Sequence, residues 1–328
     1  MEIVHDLTDS FLLVQQKFNK VSSSHLLSFL DREFIFTIEN SEDKFLKAKK
    51  KKIHDAVGKI LNDYDKNQDQ DETIFEAYHE ALFYSYLKSK LPTEPIETRA
   101  NKTPDFKVYL YGREYYFEYK ALKMLGGRLA YKSIAEEAAK LAENPHIETY
   151  EGMKITTTEQ VIQPHNKHRG DYNPRSVKMV IENIIDKATQ NIKEGQFSLG
   201  PTVLVLDLNS QLSMFDKPQT EIAKEHIGSC EELISGVLYH VAAGSIGDKI
   251  HCHIEFEGQR QSVEVLDKQG ILREFPFITA VLFHSATFGK SEGYVAIYRN
   301  EKEDKFDGTL IKLLEYLTIA HGAKPVSF

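Results

Sequence analysis

Polar and apolar side chains alternate along residues 105–120, on both sides of Gly112. Such a period of two is typical of a β-strand with one buried face. We therefore predict a β-hairpin with Gly112-Arg113 as a two-residue type II′ turn, because the first central position of this turn favours glycine. One face of the predicted hairpin is apolar and contains Phe106, Val108, Leu110, Tyr115, Phe117 and Tyr119.

The predicted turn also determines which polar residues pair across the hairpin. It places Asp105 opposite Lys120 and Lys107 opposite Glu118, with all four side chains on the face opposite the apolar set. A slip of one residue would expose the apolar side chains and bury the charged ones. The alternation therefore supports an arrangement in which two carboxylates and a lysine converge.

This convergence suggests a metal site. Two carboxylates held close together repel each other unless a cation lies between them, and a few oxygen ligands suit Mg²⁺ or Mn²⁺. Such an ion polarises a phosphoryl oxygen and lowers the pKa of a bound water, while the ammonium of Lys120 can orient that water. The alternative is a surface hairpin on which Asp105, Glu118 and Lys120 simply face water.

The segment resembles the PD-(D/E)XK nuclease superfamily, which has the restriction-endonuclease-like fold. Pro104-Asp105 is similar to the first half of the family motif, and Glu118-Tyr119-Lys120 is similar to the second half. The resemblance implies hydrolysis of phosphodiester bonds in nucleic acid. It further implies that Asp105 and Glu118 bind the divalent ion and that Lys120 assists the attacking water.

The same resemblance implies one more glutamate on a helix before the hairpin. Residues 75–87 place Glu76 and Glu80 on one helical stripe. We favour Glu80 as the additional metal ligand, because Tyr78-His79-Glu80 precedes Leu87 by two turns, as in the family. Either glutamate could instead be a solvated position on an amphipathic helix.

The residues after the hairpin indicate an α/β fold. Asn173-Pro174 begins a segment of helical periodicity, and residues 201–207 are apolar on both faces, as in a central strand covered by helices. Lys187 and Gln190 are similar to the auxiliary polar residues of the family on this helix, or are ordinary solvated positions. We predict a restriction-endonuclease-like mixed β-sheet flanked by helices, with a helical N-terminal region.

The C-terminal part continues with alternating elements and contains no second motif. The predicted elements are a helix over 220–243, a hairpin of 250–256 with 261–266, strands over 278–284 and 294–298, and a helix over 309–319.

Two domains are predicted, a helical region over 1–72 and a nuclease-like domain over 73–328, because residues 67–71 interrupt the periodicity. The first region contains a lysine cluster that could follow a phosphate backbone or form a solvated helix face. Its members are Lys44, Lys47, Lys49, Lys50, Lys51 and Lys52.

Composition limits the partners. The formal net charge of −8 opposes the approach of DNA, so binding would depend on local basic patches or on a partner protein or homodimer. Two cysteines provide neither a disulfide framework nor a Cys-x-x-Cys zinc site. The chain lacks a long apolar run, so we expect a cytoplasmic protein that does not bind membranes.

These features together predict a Mg²⁺- or Mn²⁺-dependent endonuclease that acts on DNA in preference to RNA, in restriction, phage defence or DNA processing. The alternative is a non-catalytic or partner-activated module that binds nucleic acid, or assembles with other proteins, with the same fold.

Overall fold

The structure is a computed structural model. It describes residues 6–21, 26–67, 69–96, 103–122, 146–150, 153–157, 177–190, 192–209, 223–227, 231–235, 237–251, 263–285, 293–299, 308–318 and 326–327. The chain forms two compact units, one of Met1–Leu82 with Met124–Arg169 and one of Phe83–Lys123 with Gly170–Phe328.

Helices dominate the described part of the first unit. They are α1 (Leu7–Val21), a 3₁₀ turn (Leu26–Phe29), α2 (Arg32–Asn40), α3 (Lys44–Asn62) and α4 (Gln70–Lys90), of which the part up to Leu82 belongs to this unit. Asp31 and Asp43 cap α2 and α3 by accepting hydrogen bonds from backbone N–H groups of the first turn. The prediction of a helical N-terminal region is confirmed for these residues. A separate hairpin of β4 (His146–Tyr150) and β5 (Met153–Thr157) also belongs to this unit.

A seven-stranded mixed sheet forms the centre of the second unit. Its strands, in their order across the sheet, are β1 (Thr93–Pro95), β2 (Phe106–Leu110), β3 (Arg113–Ala121), β6 (Thr202–Asp207), β11 (Ala280–Ser285), β12 (Gly293–Tyr298) and β13 (Val326–Ser327). Strand β3 is antiparallel to β2 and parallel to β6, and β6 is parallel to β11. The prediction of an α/β fold with a mixed sheet is confirmed.

Helices pack on both faces of this sheet. On one face, here called the α5 face, Leu204 and Leu206 share a buried cluster with α5 (Val177–Thr189), α6 (Val237–Ala243) and α7 (Ile271–Glu274). On the other, the α4 face, the ring of Phe83 from the second half of α4 contacts several aromatic rings of the strands. These are Phe106, Phe117, Tyr119 and Tyr294. All six residues of β6 are buried, as the apolar run over 201–207 predicts.

The β2–β3 hairpin exists, but its register differs from the prediction. The turn is Tyr111-Gly112 rather than Gly112-Arg113, and both turn residues have positive φ (50° and 78°), as in a type I′ turn. Lys107 consequently pairs with Tyr116 instead of Glu118. The pairing is displaced by two residues, so every side chain keeps its predicted face.

The predicted helix over 220–243 is wrong in its first half. Residues Ala223–Ile227 and Glu231–Ser235 form a hairpin, β7 with β8, and only Val237–Ala243 are helical. Gly228-Ser229, between the two strands in the sequence, is the turn signal that the helical interpretation ignored.

The remaining elements agree more closely with the sequence. Strand β9 (Lys249–His251) pairs with β10 (Val263–Val265), while residues 252–262 lie outside the described part of the chain. Strands β11 and β12 and the helix α8 (Gly308–Thr318) confirm the last three predicted elements. None of the described helices combines the length and the apolar character that a membrane crossing requires.

The turn conformation predicts opposite effects for two glycine substitutions. Gly112→Ala should lower the free energy of unfolding by about 1 kcal/mol, because alanine is strained at positive φ. Gly58→Ala, in helix α3 and with open space around its Cα, should raise it by up to about 1 kcal/mol. Urea denaturation of both variants tests this, and equal effects would contradict the assigned turn.

Candidate functional site

Asp105 lies where the pairing of β2 with β3 ends. Pro104 precedes it, and proline has no backbone N–H to continue a ladder. The Asp105 backbone N–H donates to the carbonyl of Phe117 at 2.9 Å, and its carboxylate Oδ2 accepts the backbone N–H of Tyr119 at 2.8 Å. The carboxylate of Asp105 is therefore held against the backbone of β3, at the residue that follows Glu118.

Glu118 is a buried carboxylate, with only 5 % of its surface exposed. Its Oε1 accepts a hydrogen bond from Nε2 of Gln196, which lies in a 3₁₀ turn over Glu194–Phe197. The Oε1 of Gln196 in turn accepts the backbone N–H of Lys193 at 2.9 Å. Because the backbone N–H of Lys193 can only donate, the amide oxygen of Gln196 faces Lys193 and its NH₂ group donates to Glu118.

Lys120 binds the end of a helix. Its Nζ donates to the backbone carbonyls of Ala188 at 3.2 Å and Gln190 at 2.9 Å, at the C-terminus of α5. The last carbonyls of an α-helix accept no hydrogen bond from the helix itself, so a cation beside them is favourable. Of the two predicted auxiliary residues, Gln190 thus interacts with Lys120 through its main chain, and Lys187 is partly buried.

Glu76 and Glu80 lie in the first unit and both face the lysine cluster of α3. Glu80 forms an ion pair with Lys49, in which the two side chains are 20 % and 14 % exposed, and Glu76 lies 3.8 Å from Lys52. The proposed contact of Glu80 with a metal stays a prediction.

Other lysines of this cluster also have partners within the first unit. Lys47 pairs with Glu42, and Lys50 Nζ donates to the carbonyl of Glu39 at 2.7 Å. The cluster is therefore partly neutralised by its own unit, which weakens its candidacy as a phosphate-binding surface.

Lys107 is on the same face of the hairpin as Glu118, but its charge is balanced locally. Its Nζ lies 3.4 Å from Glu94 and 3.3 Å from Glu114. A hydrogen bond with Tyr109 and the two glutamates raise the pKa of Lys107, against the opposing effect of burial. Burial and the bond to Glu114 raise the pKa of Tyr116 to about 12. This edge of the sheet therefore has no local excess of positive charge from Lys107.

Three polar residues that the sequence analysis did not select form a buried network on the α4 face. Asp207 and His284 end the apolar runs of β6 and β11, and Asn209 follows two residues after Asp207. The hydroxyl of Tyr119 donates to Asp207 Oδ2. A polar residue that closes an apolar strand run is the signal by which Asp207 and His284 could have been found.

Comparisons of the chain with known protein families, with curated proteins and with solved structures found no match. Inferences about function therefore depend on the geometry of these residues.

The Gln196–Glu118 contact predicts an asymmetric pair of substitutions. Gln196→Ala should reduce the free energy of unfolding by about 1–3 kcal/mol, because a buried carboxylate loses a donor. The matched change Gln190→Ala removes an exposed side chain and should cost less than about 0.5 kcal/mol. Guanidinium denaturation at neutral pH measures both. Similar losses in the two variants would show that Gln196 does not stabilise Glu118.

Proposed function

We propose that this chain is a Mg²⁺- or Mn²⁺-dependent nuclease of the PD-(D/E)XK type that cleaves DNA. The observation that supports it most directly is the position of Asp105, whose carboxylate binds the β3 backbone beside Glu118. The order of elements in the second unit adds support, since the β2–β3 hairpin is followed there by α5, a 3₁₀ turn and then β6, which is parallel to β3. The restriction-endonuclease-like fold is part of the proposal.

The donor set at Asp105 and Glu118 fits a hard divalent cation. The bond from the Tyr119 N–H uses one oxygen of Asp105, and the bond from Gln196 uses one oxygen of Glu118. A carboxylate has two oxygens, so neither bond prevents ligation of a metal ion. Mg²⁺ commonly binds one or two protein carboxylates and keeps several waters. The described residues of this unit add no third carboxylate, histidine or cysteine to form a compact group with these two. A bound ion would polarise the phosphodiester and acidify a coordinated water.

The protein groups around this position would act by holding it in place. Gln196 fixes the orientation of Glu118, and the Tyr119 N–H fixes that of Asp105. An ammonium has three N–H donors and can rotate, so the contacts of Lys120 with the carbonyls do not exclude donation to a water or phosphate oxygen. Lys120 would then serve both the end of α5 and the reaction.

The pairing of several lysines with glutamates has a consequence for DNA binding. With a net charge of −8 and part of the α3 cluster neutralised, the affinity for DNA should be modest and should fall steeply with salt. We therefore propose that a partner protein or a second copy of the chain assists the binding of DNA. A cytoplasmic setting, as expected from the sequence, is also part of the proposal. RNA is the less favoured substrate.

A second function is supported by the same contacts. Glu118 has a protein donor and Lys120 has protein acceptors, so each has a structural role that does not require catalysis. A non-catalytic or partner-activated module that binds nucleic acid would keep these contacts and would need no metal.

The test is cleavage of supercoiled plasmid, linear duplex, single-stranded DNA and RNA with Mg²⁺, Mn²⁺ or EDTA. We expect metal-dependent cutting of DNA, and we expect Asp105→Asn and Glu118→Gln to reduce its rate by at least about 100-fold. Lys107→Met, a lysine on the same face that is paired with glutamates, should leave the rate nearly unchanged.

Lys120 needs a comparison of two variants, because its loss also removes the contact with α5. Lys120→Met should abolish cutting and lower stability, whereas Lys120→Arg should retain much of the stability because it keeps N–H donors. Normal cutting by Glu118→Gln would refute the proposal. DNA binding without cutting, equal in Mg²⁺ and in EDTA, would favour the non-catalytic module.

A further inference from the structure

The network of Asp207, Asn209 and His284 lies at the carboxyl ends of two adjacent parallel strands. Asp207 of β6 and His284 of β11 are partners in the strand register, so their side chains are on the same face. They are 1 % and 0 % exposed, and Asn209 is 1 % exposed. In α/β sheets this edge is a common location of ligand sites.

Two polar side-chain atoms lie near Nδ1 of His284, at distances close to those between neighbouring ligands of one metal ion. Nδ1 of His284 is 4.0 Å from Oδ1 of Asp207 and 3.3 Å from Nδ2 of Asn209. Adjacent ligands of an ion bound at about 2.0–2.2 Å lie roughly 3–3.6 Å apart, so small side-chain rotations suffice. The oxygen and nitrogen of an asparagine amide are assigned from their contacts, and a flip would turn the Asn209 oxygen towards His284.

Surrounding residues hold two of these groups in position. The ring of His284 stacks on Tyr294 with centroids 4.6 Å apart and an interplanar angle of 5°, and Tyr294 stacks on Tyr86 at 4.6 Å. The hydroxyl of Tyr119 donates to Oδ2 of Asp207, and the backbone N–H of Asn209 donates to Oδ1 of Asp207 at 2.8 Å. Outer partners of this kind orient the ligands of protein metal sites.

We propose that Asp207, Asn209 and His284 form a binding site for a first-row divalent transition metal, with Zn²⁺ as its representative. An imidazole nitrogen beside a carboxylate favours such ions over Mg²⁺, which prefers oxygen ligands alone. A cation also offsets the large cost of a buried carboxylate. The ion would link β6 to β11 and, through Tyr119, would stabilise β3.

This site is separate from the one formed by Asp105 and Glu118. Tyr119 contacts Asp207 on the α4 face, and its neighbours Glu118 and Lys120 point to the α5 face. The inference therefore does not depend on nuclease activity, and variants can be chosen that affect only one of the two sites.

The experiment measures binding of Zn²⁺ by calorimetry, and of Co²⁺ by its visible ligand-field absorption, to chelator-treated full-length protein in excess Mg²⁺. We expect one ion per chain and a higher melting temperature with metal. Glu118→Gln should bind Zn²⁺ as the wild type does. His284→Gln and Asp207→Asn should bind Zn²⁺ at least about 10-fold more weakly. Loss of a residue that only orients a metal ligand already weakens binding by about 10- to 100-fold.

A third variant guards against loss of folding in the first two. Asn209→Asp replaces an amide oxygen by a carboxylate oxygen, so it should bind Zn²⁺ at least as tightly as the wild type. Circular dichroism in chelator shows whether each variant is folded. The proposal is overturned if wild type and Asn209→Asp bind no Zn²⁺, or if folded His284→Gln binds it as well as the wild type. Neither outcome bears on cleavage of DNA.

Discussion

The parallel pairing of β3 with β6 is the contact on which both polar sites depend. Strand β6 is buried along its whole length, and it joins the β2–β3 hairpin to β11 and the C-terminal strands. The pairing aligns Glu118 with Leu204 and Lys120 with Leu206, which brings Lys120 to the end of α5. On the other face it brings Tyr119 to Asp207. Apolar burial of one strand thus positions polar groups on both sides of the sheet.

The sequence was sufficient for the faces of the hairpin but not for its register. The turn at Gly112-Arg113 and the turn at Tyr111-Gly112 differ by two residues in pairing, and a period of two gives both the same buried face. The two turns differ in the backbone of Tyr111, which has a positive φ in the observed turn, and a positive φ is uncommon for an aromatic residue. The pattern could therefore predict that Asp105 and Glu118 lie on the same face of the hairpin, but not which residue lies opposite which.

The partners of the candidate residues were beyond the reach of local patterns. Glu118 meets Gln196, and Lys120 meets carbonyls at the end of α5, through contacts between residues far apart in the chain. The positions of α5 and β6 could be predicted from apolar periodicity. The sequence at the end of α5, however, gives no signal that Lys120 of a distant strand donates hydrogen bonds to its carbonyls. Asp207 and His284 show the same limit, because their proximity results from the pairing of β6 with β11.

The alternation of Glu118, Tyr119 and Lys120 restricts how this strand can change over evolution. Consecutive side chains of β3 point to opposite faces of the sheet. Inserting or deleting one residue before Glu118 would therefore turn Glu118 and Lys120 to the α4 face and Tyr119 to the α5 face. A change of two residues would preserve both. Related chains should therefore tolerate variation in the Tyr111-Gly112 turn, and within β3 only changes of length by even numbers of residues.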